Sequence, residues 1–192
     1  MKVSVRRKED YKVSKWSGGT TTQMYIYPEN GDYGDRRFQA RISSATVEDE
    51  CSKFTSLPGV QRYLMTLDGE LKLVHEGQYE KSLHPYEIEH FPGDWDTSSY
   101  GKVRDFNLML KEGARGMMEY AEIQPGNLWV LPLCSDEWNK ILLYSVNGEV
   151  TVSDRTLGTG ELAVLEDFSC EQCVLENQST ESVKLVICRF SL

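Results

Sequence analysis

The chain has 192 residues, of which 40% are hydrophobic and 27% charged, a composition typical of folded globular proteins. Its formal net charge of −9 disfavours nucleic acid and anionic membranes as partners, because a negative surface repels phosphate groups. The five cysteines are scattered and odd in number, and neither a signal peptide nor an apolar membrane span is evident. We therefore expect a reduced, cytoplasmic protein.

Short runs of alternating or apolar residues, separated by turn residues, predict β-strands along the whole chain. The predicted strands cover residues 23–27, 38–47, 62–67, 70–74, 86–91, 103–110, 117–123, 128–133, 141–146, 149–153, 161–165, 170–175 and 183–190. No segment combines a period of 3.6 with caps at both ends, so we predict an all-β fold. The polar segment at 111–116 interrupts two apolar strands and separates two predicted units, residues 1–112 and 113–192.

A turn pattern occurs twice in the chain. Residues 64–73 and 143–152 each place Asp-Gly or Asn-Gly between alternating apolar residues, which predicts a β-hairpin. The turn glycines, Gly69 and Gly148, are 79 residues apart. The repeat predicts two related β-units, each a sandwich or barrel. We place the ligand site in the first unit and interpret the second as mainly structural.

Metal-ligating residues are sparse. Two histidines at i and i+2 on one strand can bind one ion, but His75, His84 and His90 contain no such pair. Cys170 and Cys173 form a lone Cys-x-x-Cys, whereas a structural zinc needs four ligands and a redox pair needs a helix N-terminus. We predict no metal and no cofactor, and we interpret the two cysteines as packed thiols.

The unusual polar residues concentrate before residue 110. Trp16 precedes the pair Gly18 and Gly19 and the hydroxyl of Thr20. Glycines allow backbone N–H groups to approach a ligand closely, so this segment is a candidate anion site. A plain turn that leads into the next strand is the alternative interpretation.

Polar side chains also occur within or beside predicted strands. Arg41 and Ser43 share one strand face, and Arg62 follows a turn. Asp105 and Asn107 interrupt an apolar strand, where such residues are disfavoured. They are therefore either buried and paired or part of a ligand site, and both interpretations remain open for an Asp105 partnered by Arg41 or Arg62. Asp94 lies in a Pro-Gly-Asp-Trp turn and is a further candidate.

Six motifs, taken in order, resemble the HutD/Ves family. They are Trp-Ser-Gly-Gly-Thr at 16–20, Arg-Ile-Ser-Ser-Ala at 41–45, the segment from Phe to Arg at 54–62, Leu-Asp-Gly at 67–69, Phe-Pro-Gly-Asp at 91–94, and Asp-Phe-Asn-Leu-Met at 105–109. The resemblance implies a bicupin of the RmlC-like kind: two double-stranded β-helices, or jelly rolls, in one chain. It also implies that the cupin metal ligands are absent. Two positions depart from the family pattern, since Ser17 leads directly to the glycines and Gln61 replaces an aspartate.

The resemblance further implies an accessory or regulatory protein of histidine utilisation that binds a small acid such as formylglutamate. In this interpretation Arg41 and Arg62 bind a carboxylate, Ser43, Asp94, Asp105 and Asn107 contact the rest, and Trp16 with Gly18, Gly19 and Thr20 complete the site. We thus expect a binding protein whose partner is a small anionic metabolite, and a homodimer is left open.

Two enzymatic alternatives remain. The first is a metal-free isomerase, epimerase or lyase acting on a small acid or sugar, with Asp94, Asp105 or His90 as general base. The second is a metal-dependent cupin enzyme.

Overall fold

The structure, a computed structural model, describes residues 1–169 and 171–192. Its regular elements are β-strands and one short 3-10 turn at Lys8–Asp10. The all-β prediction is therefore confirmed. Among the described residues, no helix is long and apolar enough to cross a membrane.

The strands are numbered in chain order. Strands β1 to β11 are Lys2–Arg6, Lys12–Trp16, Gly19–Tyr27, Ala40–Val47, Cys51–Lys53, Val60–Asp68, Leu71–His75, Tyr79–Leu83, Ile88–Pro92, Thr97–Tyr100 and Val103–Lys111. Strands β12 to β19 are Arg115–Ile123, Leu128–Leu133, Lys140–Asn147, Val150–Val152, Arg155–Leu157, Leu162–Glu166, Glu171–Glu176 and Val183–Ser191.

The chain divides into two compact units. The first unit is Tyr11–Ala114, and the second unit combines Met1–Asp10 with Arg115–Leu192. The predicted first unit, residues 1–112, thus begins too early. The physical reason is that β1 pairs with β17 in antiparallel register and so completes a sheet of the second unit.

The first unit is built from two sheets. A six-stranded sheet has the order β2-β3-β4-β11-β6-β9, and a four-stranded sheet has the order β5-β10-β7-β8. Apolar side chains of both sheets, including Leu64, Leu73 and Phe91, pack in one buried cluster. Burial of these side chains holds the two sheets face to face.

The second unit repeats this plan. Its sheets have the orders β1-β17-β14-β19-β12 and β13-β18-β15-β16. A cluster of buried side chains, including Leu143, Leu165, Leu175 and Leu185, joins the two sheets. The prediction of two related β-units therefore agrees with the observed strand orders.

The sequence predicts a hydrogen-bonded hairpin at each copy of the duplicated turn. The structure shows that neither turn closes such a hairpin. Asp68 and Gly69 join β6 to β7, which lie in different sheets, and the Asn147-Gly148 turn joins β14 to β15 in the same way. Both glycines have positive φ, 81° and 72°. The turns thus lead the chain from one sheet to the facing sheet. The two strands that each turn joins pair with other strands of their own sheets.

Candidate functional site

The first unit contains a cavity of about 380 Å³. Strands β2, β3, β4, β6 and β11 contribute one wall, and β5, β7 and β10 contribute the facing wall. The volume falls in the range of small-molecule sites, about 300–1,000 Å³. The lining residues are Ser14, Trp16, Thr21, Tyr33, Arg41, Ser43, Ala45, Val47, Ser52, Lys53, Phe54, Thr55, Arg62, Leu71, Ser99, Val103, Asp105, Asn107 and Met109.

Strand alternation brings the polar side chains to one wall. Residues two apart on a strand share a face, so alternate residues of β4 and β11 line the cavity together. Antiparallel pairing places Arg41 opposite Met109 and Ser43 opposite Asn107. Arg62 of β6 lies opposite Met109 on its other side. The two arginines thus flank one residue of the central strand.

Arg41 is only 5% exposed, and its hydrogen-bond partners are neutral groups. Its Nε donates to Oε1 of Gln23 at 2.8 Å, and its Nη1 donates to Oγ of Ser43 at 2.9 Å. The guanidinium carbon lies 4.1 Å from the centroid of the Tyr33 ring, a cation–π contact. Burial lowers the pKa of Arg41, and the charge of Arg62 adds to that effect, whereas Tyr33 and Asp105 oppose it.

Arg62 is more deeply buried, with 2% of its surface exposed. Its Nη2 donates to the backbone oxygen of Thr55 at 2.6 Å, and its guanidinium carbon lies 5.2 Å from the centroid of the Phe54 ring. Its buried Nε has no hydrogen-bond partner among the described residues. Burial lowers the pKa of Arg62, because a cation loses hydration inside the protein.

Asp105 is 7% exposed and accepts a hydrogen bond from the backbone N–H of Ala45 at 2.7 Å. Among the described residues, no ion pair joins its carboxyl to Arg41 or Arg62. Burial raises the pKa of Asp105 to about 7, although the Ala45 hydrogen bond and the two guanidinium charges oppose that rise. Among the described residues the predicted Arg–Asp tie is thus absent, and the carboxyl lies on the cavity wall with its bond to Ala45.

Other polar groups complete the lining. The hydroxyl-bearing residues Ser14, Thr21, Ser52 and Ser99 reach the cavity from both walls. Within residues 1–169 and 171–192, the buried Oδ1 of Asn107 has no hydrogen-bond partner. The lining residues Asn107 and Arg62 thus each keep hydrogen-bonding capacity that a bound molecule could satisfy.

The predicted site residues fall into two groups. Those on the cavity wall are Trp16, Arg41, Ser43, Arg62, Asp105 and Asn107. Those that do not line it are Gly18, Gly19, Thr20 and Asp94. A ligand-binding role remains a prediction for the first group.

The glycine pair serves close packing in this structure. A Cβ on Gly19, which has φ +150°, would lie 1.9 Å from the backbone oxygen of Thr46 on the neighbouring strand. A Cβ on Gly18 would lie 2.3 Å from the Trp16 ring. In β3 it is Thr21, two residues after Gly19, that lines the cavity, while Thr20 does not. Asp94 is exposed in the turn after β9.

Several lining residues were missed by the sequence analysis. Tyr33, Phe54 and Thr55 lie outside the strands, so strand alternation gives no signal for them. Gln23, which contacts Arg41, could have been found, because it lies in the same strand as Thr21 at a spacing of two.

A model of the HutD protein family matches residues 8–184. The chain belongs to the HutD family. Every motif that carried the resemblance lies within the matched range. The two departures from the family pattern lie outside the cavity: Ser17 is exposed between β2 and β3, and the exposed Gln61 contacts His90 at 3.0 Å. Comparison with curated protein sequences gives no match.

Solved structures show the same fold. HutD from Pseudomonas fluorescens SBW25, in a formate condition, gives a TM-score of 0.75 at 23% identity over 100% of both chains. The conserved protein of unknown function PA5104 from Pseudomonas aeruginosa PAO1 gives 0.82 at 20% identity, again over 100% of both chains. The Escherichia coli pirin YhhW, in complex with nickel(II), gives 0.74 at 12% identity over 97% of this chain and 98% of the other. The predicted duplicated cupin fold is confirmed.

Metals occur in other cupins, but the lining residues here do not fit one. Two guanidinium groups repel a cation, and the lining offers one carboxyl and no imidazole. The histidines lie elsewhere: buried His75 bonds to Thr97, exposed His84 to Glu70, and His90 stacks on Tyr63. No cluster of three potential metal ligands occurs among residues 1–169 and 171–192.

The Cys-x-x-Cys motif is only partly within the structure. Cys170 lies outside the described residues. Cys173 is buried, and burial raises the pKa of its thiol. A raised thiol pKa is the opposite of what a redox-active cysteine requires.

Proposed function

We propose that the cavity of the first unit binds a small carboxylic acid, with formylglutamate as the type ligand. In this proposal the protein is a metal-independent accessory or regulatory binding protein rather than an enzyme. The observation that supports it is the presence of two buried guanidinium groups in one cavity, each with neutral hydrogen-bond partners.

Among the described residues, neither buried guanidinium forms a salt bridge with a carboxylate, and the charge of Asp105 only partly offsets them. A buried cation is costly unless an anion and further hydrogen bonds compensate for its lost hydration. Arg41 and Arg62 lie on strands that flank β11, and both face the same cavity. A carboxylate that binds there would satisfy two planar donors at once, which is the geometry that arginine favours.

The biological setting rests on family membership alone. The chain belongs to the HutD family. The resemblance of its six motifs to the HutD/Ves family implies an accessory role in histidine utilisation. That pathway handles small acids, so the proposed ligand class and the proposed setting agree.

Binding can be tested by titration calorimetry and thermal shift with N-formyl-L-glutamate, histidine, urocanate and a sugar acid. We expect binding of N-formyl-L-glutamate and a loss of affinity of at least about 100-fold in Arg62→Ala, because two charge-assisted hydrogen bonds contribute about 3 kcal/mol or more. Arg62→Met, which keeps the side-chain volume, should lose affinity equally. Arg37→Ala is the matched control, since Arg37 is exposed and pairs with Asp35.

Two outcomes would contradict the proposal. In one, no carboxylic acid in the panel binds the protein. In the other, a carboxylic acid binds with equal affinity to the protein and to a folded Arg62→Met variant.

A metal-free enzyme is the second candidate, and one observation favours it. A carboxyl group that titrates near neutral pH lines the cavity, and a general base works best when its pKa lies near the working pH. Exchange of deuterium from solvent into bound N-formyl-L-glutamate, lost in Asp105→Asn, would favour this alternative over simple binding.

A further inference from the structure

Asp105 carries a carboxyl group into a cavity that the proposed function assigns to an anion. Its Oδ1 accepts one hydrogen bond from Ala45, and no cation pairs with it in the described residues. A carboxylate ligand and an ionised Asp105 would therefore place two negative charges in one enclosed space. Like charges in a protein interior repel, and a neutral Asp105 removes that repulsion and gains an O–H donor.

The charged groups around Asp105 come from three elements. Strand β4 contributes Arg41, strand β6 contributes Arg62, and on the facing sheet β5 contributes Lys53. Lys53 is exposed and pairs with Asp96 at 2.8 Å. The remaining neighbours on β2, β3, β7 and β10 are neutral.

We propose that Asp105 binds the ligand as the neutral acid and donates a hydrogen bond to a second oxygen of that ligand. This inference rests on the proposed function. It narrows the ligand class to acids with a second oxygen acceptor, such as dicarboxylates and N-acyl amino acids. Acids whose far end is an ammonium group are disfavoured, because they would require an ionised Asp105.

The register of the strands gives the ligand a direction. Asp105 is four residues from Met109, the residue that both arginines flank, and Asn107 lies between them on the same face. At about 3.3 Å per residue, the Cα atoms of Asp105 and Met109 are about 13 Å apart along β11. The Arg41 side chain shortens that gap, because it donates to Ser43, which lies opposite Asn107. The arginine row would bind the carboxylate, Asn107 the middle of the ligand, and Asp105 its far oxygen.

The consequence is that ligand and proton bind together. Burial already raises the pKa of Asp105 to about 7, so only part of the free protein holds the neutral acid near pH 7. An anionic ligand raises that pKa further, and the complex takes up a proton. The apparent affinity scales with the fraction of protein in the competent, protonated form. Affinity should therefore weaken about tenfold from pH 6 to pH 8.

The test is titration calorimetry with N-formyl-L-glutamate at pH 7.5, in two buffers of different ionisation enthalpy. We expect the protein to take up more than half a proton per ligand. Asp105→Asn keeps the acceptor for the Ala45 N–H but cannot titrate, so its proton uptake should vanish and its Kd should stay constant from pH 6 to pH 8. Asp68→Asn is the control, because it removes an exposed aspartate where the second copy of the turn has Asn147.

The outcomes separate this inference from the proposed function. Binding of N-formyl-L-glutamate without proton uptake overturns the role of Asp105 and leaves the carboxylate site intact. Proton uptake that persists in Asp105→Asn overturns it as well. Failure of N-formyl-L-glutamate and glutarate to bind the unaltered protein overturns both proposals together.

Discussion

Strands β11 and β19 occupy the same place in the two units, since β11 lies between β4 and β6 and β19 lies between β12 and β14. The interior face of β11 carries Asp105 and Asn107, whereas the matching positions of β19 carry Leu185 and Ile187. Both apolar residues are fully buried in the core of the second unit. Two positions of this strand are thus apolar in the second unit and polar in the first.

The arginines differ in the same way. In the second unit Arg189 occupies the position that corresponds to Met109, and it is compensated: its Nε donates to Glu119 at 2.6 Å and its Nη1 to the backbone oxygen of Pro132 at 2.9 Å. In the first unit Arg41 and Arg62 bond to neutral groups only. The same fold therefore forms with an apolar strand face and a compensated arginine in the second unit, and with a polar cavity in the first.

The largest effect is expected when a polar residue of the first unit is placed in the second unit. Leu185→Asp places a carboxyl into a packed apolar core, where it loses hydration and leaves a cavity. We expect the free energy of unfolding to fall by about 5 kcal/mol at pH 8. Urea unfolding measures the change, with Asp105→Leu as the reciprocal variant, which should not destabilise the protein. A loss below about 1 kcal/mol for Leu185→Asp would show that the second interior tolerates a polar group.

The next test uses pH. The pKa of Asp105 is raised from an ordinary 3.8 to about 7, so the folded protein binds more protons than the unfolded chain between these values. Its contribution is therefore fully present below about pH 4 and is lost as pH rises through 7. The loss totals about 4 kcal/mol, of which about 3 kcal/mol falls between pH 5 and pH 8.

Asp105→Asn should remove this dependence. Urea unfolding at both pH values should show the variant gaining about 3 kcal/mol on the unaltered protein from pH 5 to pH 8. Asp68→Asn should show no such gain, because Asp68 is exposed. Parallel curves for all three proteins would mean that Asp105 is ionised at pH 5 in the folded state.

Much of the fold could be predicted from the sequence, because strand alternation and turn residues are local signals. Strands β11 and β19 were predicted with their ends within one residue, since both are long, apolar and bounded by turns. Strands β2 and β5 were missed, because they are short and largely exposed and so carry no hydrophobic pattern. The pairing of β1 with β17 was missed for another reason: it joins segments about 160 residues apart, and no local pattern reports such a contact.

The candidate site was predictable where it lies on strands. Asp105 and Asn107 stood out as polar residues in an apolar strand, and the structure places both on the cavity wall. A glycine can allow close approach of a ligand or of a neighbouring strand, and the sequence does not distinguish the two roles. In the structure Gly19 allows close approach of a strand. Tyr33 could not be predicted, since its position depends on the path of a loop.

The smallest expected effect concerns the duplicated turn. Gly69 and Gly148 have similar positive φ, so an alanine at either position costs about 1–2 kcal/mol for its left-handed backbone. Their surroundings differ: a Cβ on Gly69 would lie 2.5 Å from the backbone oxygen of Lys102, whereas one on Gly148 would lie 2.9 Å from a methyl group of Val183. A side chain can rotate away, but a backbone oxygen in a strand connection is held in place.

We therefore expect Gly69→Ala to lower the free energy of unfolding by about 3 kcal/mol and Gly148→Ala by about 2 kcal/mol. Urea unfolding of the two variants at one pH gives the difference directly. Equal losses would show that the turn conformation alone sets the loss of stability. They would also show that the backbone at Lys102 moves to accommodate the Cβ. A larger loss for Gly148→Ala would mean that the packed core around Val183 is the stiffer of the two surroundings, which would reverse the comparison at this turn.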